Sequence, residues 1–204
     1  MILHLEQLSP AHIYFQMIQT VIPRPIAWVL TENETSNYNL APFSYFNAVC
    51  SDPPLVMLSL GLKPDGSIKD TCHNIVERKY FTLHIADEGA LQSLNQSSAT
   101  LERNHSELDD LTISLTTFES FSLPRISECK LAFACELYEI HKLGNAPQSI
   151  VYGKVNSIYI DDAVVSVSEK GRIKVNAELV RPVSRLGADE YMTVGDVIAL
   201  ARPR

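Results

Sequence analysis

Two long runs of strand-forming residues, Leu131–His141 and Ser149–Ile160, flank the segment Lys142-Leu143-Gly144-Asn145-Ala146-Pro147-Gln148. β-branched and aromatic side chains suit a pleated, half-buried surface, so the pair predicts one large hairpin whose loop exceeds a two-residue turn. Shorter runs of the same kind occupy Ile26–Thr31, Phe43–Cys50, Leu55–Leu60 and Tyr80–Ile85. The polar stretch Glu32–Tyr38 reads as an exposed hairpin connection, and Ser51-Asp52-Pro53-Pro54 forces a sharp turn. Six strands joined this tightly predict a mainly β chain whose sheet closes into a barrel.

The helices are peripheral. Ser9 caps a helix with Pro10 at its first position, where the missing N–H costs nothing. It runs to Thr20, with Ile13, Met17 and either Phe15 or Ile18 facing the body. Pro23-Arg24-Pro25 stops it, because neither proline can donate to the ladder. Lys63-Pro64-Asp65-Gly66 is a turn, after which Asp65 or Ser67 caps a second helix through Lys79. Ala86–Leu111 is helical or irregular, starts at the cap Asp87, and packs across one barrel end. Beyond Asp161 the pattern breaks into short pieces that form an ordered extension on the barrel. Residues 1–204 are expected to form one domain.

Composition excludes more than it identifies. At 46% hydrophobic and 20% charged residues the chain falls in the ordinary globular range. Its formal charge of −7, with Lys and Arg scattered, argues against a nucleic-acid surface, which needs clustered cations. No secretory signal or bilayer-length apolar run is present, so the expected compartment is the cytoplasm and no membrane partner is expected. Cys50, Cys72, Cys129 and Cys135 form no CxxC pair and lack His at ligand spacing. They are expected to be buried apolar residues rather than metal ligands.

Chemistry concentrates between Asn39 and Thr71. A helix entrance at Ser67–Thr71 offers free N–H groups and a favourable dipole for a phosphate, with Lys69 adding charge and Thr71 a hydroxyl donor. Ser59, near the end of the preceding strand, points the same way. In Asn39-Leu40-Ala41-Pro42-Phe43-Ser44, small side chains leave main-chain donors and acceptors free for the edge of a heterocycle, with Asn39 and Ser44 as side-chain partners. Each block alone is equally an ordinary helix start or a strand with a tight bend. Together they suit a flat, phosphorylated ligand.

Pro23-Arg24-Pro25-Ile26-Ala27-Trp28-Val29, Asn39–Asn47, Asp52-Pro53-Pro54 and Lys69-Asp70-Thr71 with Asn74-Ile75 follow one another as in the flavin reductase-like, FMN-binding split-barrel proteins. Val183-Ser184-Arg185-Leu186-Gly187 followed by Tyr191 resembles the C-terminal signature of their flavoredoxin-like branch. The resemblance implies a Greek-key split β-barrel that forms homodimers and binds FMN in a groove near the subunit interface. It further implies that Asn39, Leu40, Ala41, Pro42, Ser44 and Asn47 line the ring and ribityl chain. Ser59, Lys69, Asp70 and Thr71 would surround the phosphate, with Asp70 orienting Lys69 or a backbone amide. Arg24, Trp28 and Arg185 would lie nearby.

The implied chemistry is oxidoreduction through the flavin, fed by NAD(P)H or an electron-transfer protein, and it demands no catalytic side chain. Two positions depart from the family pattern. The loop Gly144–Gln148 lacks the Gly-Asp-His common in members that use NAD(P)H, which leaves room for a non-catalytic flavin store or sensor. His84 stands where relatives often carry Asn, and is read as a hydrogen-bonded structural residue.

Overall fold

The computed structural model describes residues 1–204 except 146, 169, 170, 202 and 204, so Ala146 of the late loop lies outside the described residues. Seven antiparallel strands form the main sheet: β1 (Ala27–Glu32), β2 (Tyr38–Phe43), β3 (Phe46–Ser51), β4 (Pro54–Leu60), β5 (Tyr80–Ile85), β6 (Leu131–Leu143) and β7 (Gln148–Ile160). Their order across the sheet is β2-β1-β5-β6-β7-β4-β3. The expected large hairpin is therefore its centre, with Gln148 opposite Leu143 and Ile160 opposite Leu131.

The seventh strand is β2: Tyr38–Phe43 pairs with β1 where no strand was expected, and the run expected over Phe43–Cys50 starts late, with Ser44 and Tyr45 bending and β3 beginning at Phe46. Pairing with β1 runs through Pro42 to Phe43 and stops where the bend begins. The consequence governs the whole shape. β2 and β3 lie at opposite edges of the sheet, yet only two residues separate them. The sheet must curl until its edges meet, which makes a β-barrel split along that seam; the Ser59 amide, bonded to the Tyr45 carbonyl at 2.9 Å, carries the β3–β4 pairing up to the bend.

Two apolar cores lie on opposite faces of β1, whose alternation separates them. Ala27 and Val29 join Phe43, Leu58, Leu60, Ile75, Phe81 and Val151 in the first. Trp28 and Leu30 join Leu40, Leu94, Leu123 and Ile126 in the second. Each wholly buried Leu or Phe contributes about 2 kcal/mol.

The helices sit around this barrel. α1 spans Pro10–Thr20 with Ser9 accepting the His12 N–H, as its sequence dictates. None of its residues is buried, however, and Phe15 and Met17 are exposed, contrary to the expectation that they face the body. α2 is Asp70–Arg78, shorter than expected, because Asp65 and Ser67 bond to each other in a tight turn and Lys69 becomes the N-cap. The 86–111 region is short helical pieces, including α3 at Leu91–Gln96, and Asp87 caps the turn before it. The tail folds back: Ser184-Arg185 pairs with Arg24-Pro25, and Tyr191-Met192 pairs with Ser184-Arg185.

Cys72, Cys129 and Cys135 are buried, but Cys50 is exposed, since β3 is an edge strand with little laid over it.

Candidate functional site

The seam holds a groove. Its largest part, about 510 Å³, is lined by Tyr14, Pro42, Phe43, Ser44, Tyr45, Ser59, Gly61, Leu62, Lys69 and Gln148. Pro42, Ser44 and Tyr14 also line a neighbouring part of about 250 Å³ with Ile26, Ser98, Arg185 and Tyr191. Pro42, Phe43 and Lys69 continue into a small end pocket of about 60 Å³ at the mouth of α2. Pro42, near the end of β2, is thus shared by all three parts.

The end pocket brings Lys63 and Lys69, together with Asp70 and Glu107, to the mouth of α2. Lys69 is the N-cap of α2 and makes no side-chain cap bond, so among the described residues no side chain takes the free amides of the first turn. Burial, and then the nearby Lys63 charge, lower the Lys69 pKa from its ordinary value, which an incoming anion would offset. Asp70 does not orient Lys69 as expected; its carboxylate bonds the Lys63 ammonium at 2.9 Å. Lys63 also donates to the Leu101 carbonyl at 3.1 Å, tying down the segment Ser97–Leu101 that walls the pocket.

Of the residues implied by the resemblance, Asn39, Ala41, Pro42, Ser44, Ser59, Lys69, Asp70, Thr71 and Arg185 line the groove. Four do not. Trp28 is fully enclosed and its indole N–H donates to Ser97 at 2.9 Å, so it holds the pocket wall from behind. Leu40 belongs to the second core, and its N–H is taken by Glu107. Asn47 sits exposed on β3, with its side chain accepting the Ala48 N–H. Arg24 is 4% exposed, and its guanidinium donates to the carbonyls of Ile18, Val21 and Leu186 and to Ser44. It staples α1, the bend and the tail together. Arg185 stacks on Tyr191, 4.3 Å from the ring centroid, and Tyr191 bonds Asn95.

The structure adds residues that local patterns did not single out. Tyr14, Tyr45 and Gln148 line the main groove, while Lys63 and Glu107 line the end pocket. Lys63 was visible only as part of a turn. Glu107 had no local signal, since its partners Asn39 and Leu40 lie 68 and 67 residues away.

Comparison with known proteins follows the same line. Residues 19–169 match the family described as Flavin reductase like domain, and the chain belongs to that family. YwrF of Bacillus subtilis is 36% identical over 97% of both chains. Among solved structures, nitrilotriacetate monooxygenase component B from Bacillus cereus superposes with a TM-score of 0.88 at 30% identity, covering 98% of each chain. The Pseudomonas fluorescens 2-nitrobenzoate 2-nitroreductase NbaA gives 0.86 at 28% identity, covering 100% of this chain and 96% of the other. Flavoredoxin of Desulfovibrio vulgaris, at 21% identity and a TM-score of 0.72, shares the fold. The family carries a flavin-related redox function.

Proposed function

We propose that the chain is an FMN-dependent oxidoreductase whose flavin lies in the seam groove. The observation that carries this is the end pocket, where a charged Lys69 and the uncapped first turn of α2 meet the groove floor. A terminal phosphate fits that donor set, and riboflavin would leave it unused. The main chain at Pro42–Ser44 offers ring-edge contacts, because these residues line the groove and Ser44, at the bend, lies outside the strand pairing. Bound FMN supplies hydride acceptance and onward electron transfer. The protein's part is to hold, orient and leave one side open; Arg24 and Trp28 act from behind by fixing the bend and the pocket wall. NbaA and nitrilotriacetate monooxygenase component B carry redox names, which support turnover.

The electron source is NAD(P)H or a protein donor. A second reading, a flavin holder that does not turn over, is favoured by Gln148: the late loop brings an amide to the groove rather than a titratable imidazole. Four free cysteines fit a cytoplasmic setting.

Purified protein with FMN should develop a bound-flavin spectrum that bleaches under anaerobic NADH or NADPH. Lys69→Ala should weaken FMN about tenfold and leave riboflavin nearly unchanged, the loss of one charge-assisted contact. Failure to bind FMN would overturn the proposal; binding without bleaching by either nicotinamide or a reduced protein donor would favour the holder.

A further inference from the structure

Glu107 begins a short turn of 3₁₀ helix, Glu107–Asp110, and is 7% exposed. Ser106 docks that turn by donating to the Tyr38 carbonyl at 2.5 Å. The Glu107 carboxyl then reaches the outer side of edge strand β2. One oxygen accepts the Leu40 N–H at 2.8 Å, a donor that no neighbouring strand takes, and both oxygens accept from the Asn39 side-chain amide at 2.9 and 3.1 Å. Three N–H contacts on one carboxyl group fix its role as acceptor.

That geometry settles the orientation of Asn39. Its nitrogen must face Glu107, since an amide oxygen there would meet two carboxylate oxygens. Its oxygen therefore faces α2, where the Thr71 hydroxyl lies 2.6 Å away and Thr31 3.4 Å away. An amide oxygen carries no proton, so the hydroxyls donate. Thr71 has one hydroxyl proton, and it is used here. Thr31 in turn accepts from Asn74, which also donates to Asn33 at 2.8 Å, so the buried chain is satisfied at its far end.

We propose that Glu107 is a positioning residue for the anion pocket: acting through the Asn39 amide, it commits the Thr71 hydroxyl proton inward, so that phosphate is met by main-chain N–H groups and lysine alone. The inference rests on the FMN reading of the groove. It reverses the expectation that Thr71 contributes a hydroxyl donor. It also makes the turn Glu107–Asp110 part of the site, where the sequence alone predicts only packing across a barrel end.

Glu107→Gln nearly preserves shape but inverts one end of the chain. The new amide can keep the Leu40 N–H on its oxygen, but its NH₂ group meets the Asn39 NH₂ group. Turning Asn39 relieves that clash, presents its own NH₂ to Thr71, and frees the hydroxyl proton for the pocket. Loss of the Glu107 charge would also favour an anion, but by the same factor whether residue 71 is threonine or valine.

Two readings test this. In ligand-free protein, NMR should find the Thr71 hydroxyl proton in slow exchange with water and close to the Asn39 side chain, and Glu107→Gln should abolish that protection. The FMN-over-riboflavin preference should rise about tenfold further in Glu107→Gln than in the same change made on Thr71→Val. An unprotected Thr71 hydroxyl in the unaltered chain, or an equal rise in both backgrounds, overturns the proposal. Equal affinity for FMN and riboflavin in the unaltered chain would instead refute the phosphate placement, and the NMR reading would still decide the orientation of Thr71.

Discussion

His84 is wholly buried, and both ring nitrogens are assigned by their partners. Nε2 accepts the Ile126 N–H at 3.0 Å, so the proton is on Nδ1 and is donated to the Trp28 carbonyl, also at 3.0 Å. The imidazole therefore bridges β1, β5 and the Arg125-Ile126 segment, and its structural reading from sequence agrees with this. Burial is the main cause that lowers its pKa from 6.5 to about 4. The unfolded chain binds a proton near pH 6.5 and the folded chain only near 4, so stability falls as pH drops through that window. The loss approaches about 3 kcal/mol below pH 4, at about 1.4 kcal/mol per pKa unit. Urea unfolding of wild type and His84→Asn across this range should differ in slope, the variant lacking this component; parallel profiles would contradict the assignment. Lys69 and Pro42 were legible because their chemistry is local. Arg24 and Trp28 do lie nearby, but Leu40 and Asn47 do not line the groove: a motif reports that a residue belongs near a site, not whether it faces the ligand or supports it from behind.

At the scale of elements, the hairpin β6–β7 was readable because period-2 runs of strand formers survive any tertiary context. The break at Ser44-Tyr45 was not, since its cause is that β2 and β3 pair at opposite sheet edges, a fact no local window contains. α2 was placed but started too early, because Asp65 and Ser67 satisfy each other before the helix begins. β7 carries its own constraint. A Cβ on Gly153 would lie 2.4 Å from the Phe81 ring, and Phe81 is fully buried in the first core. Gly153→Ala should destabilise by about 2 kcal/mol through overpacking, read as a lower urea midpoint. An unchanged midpoint would mean that β7 can shift away from β5 at no cost.

At the scale of the molecule, the barrel's seam organises everything: it sets the groove, brings the mouth of α2 to the bend, and recruits the tail through Arg24 and Arg185. Around it the surface is unusually apolar, with Tyr14, Phe15 and Met17 exposed on α1, Val49 exposed on β3, and Tyr45 at the bend. The resemblance implies a homodimer, and this apolar face beside the groove is the surface such a dimer would bury. Light scattering should give about twice the 22.8 kDa chain mass, and Phe15→Glu with Met17→Glu should halve it; a monomer at every concentration would contradict the dimer. No helix among the described residues is long and apolar enough to cross a membrane. On our proposal the seam grips a flavin nucleotide by its phosphate. A crystal structure with FMN bound measures this directly: the account predicts the phosphate against the Asp70–Cys72 amides and the Lys69 ammonium, with the ring on Pro42–Ser44. A phosphate lying elsewhere, or an end pocket that stays filled by water while FMN binds, would contradict it.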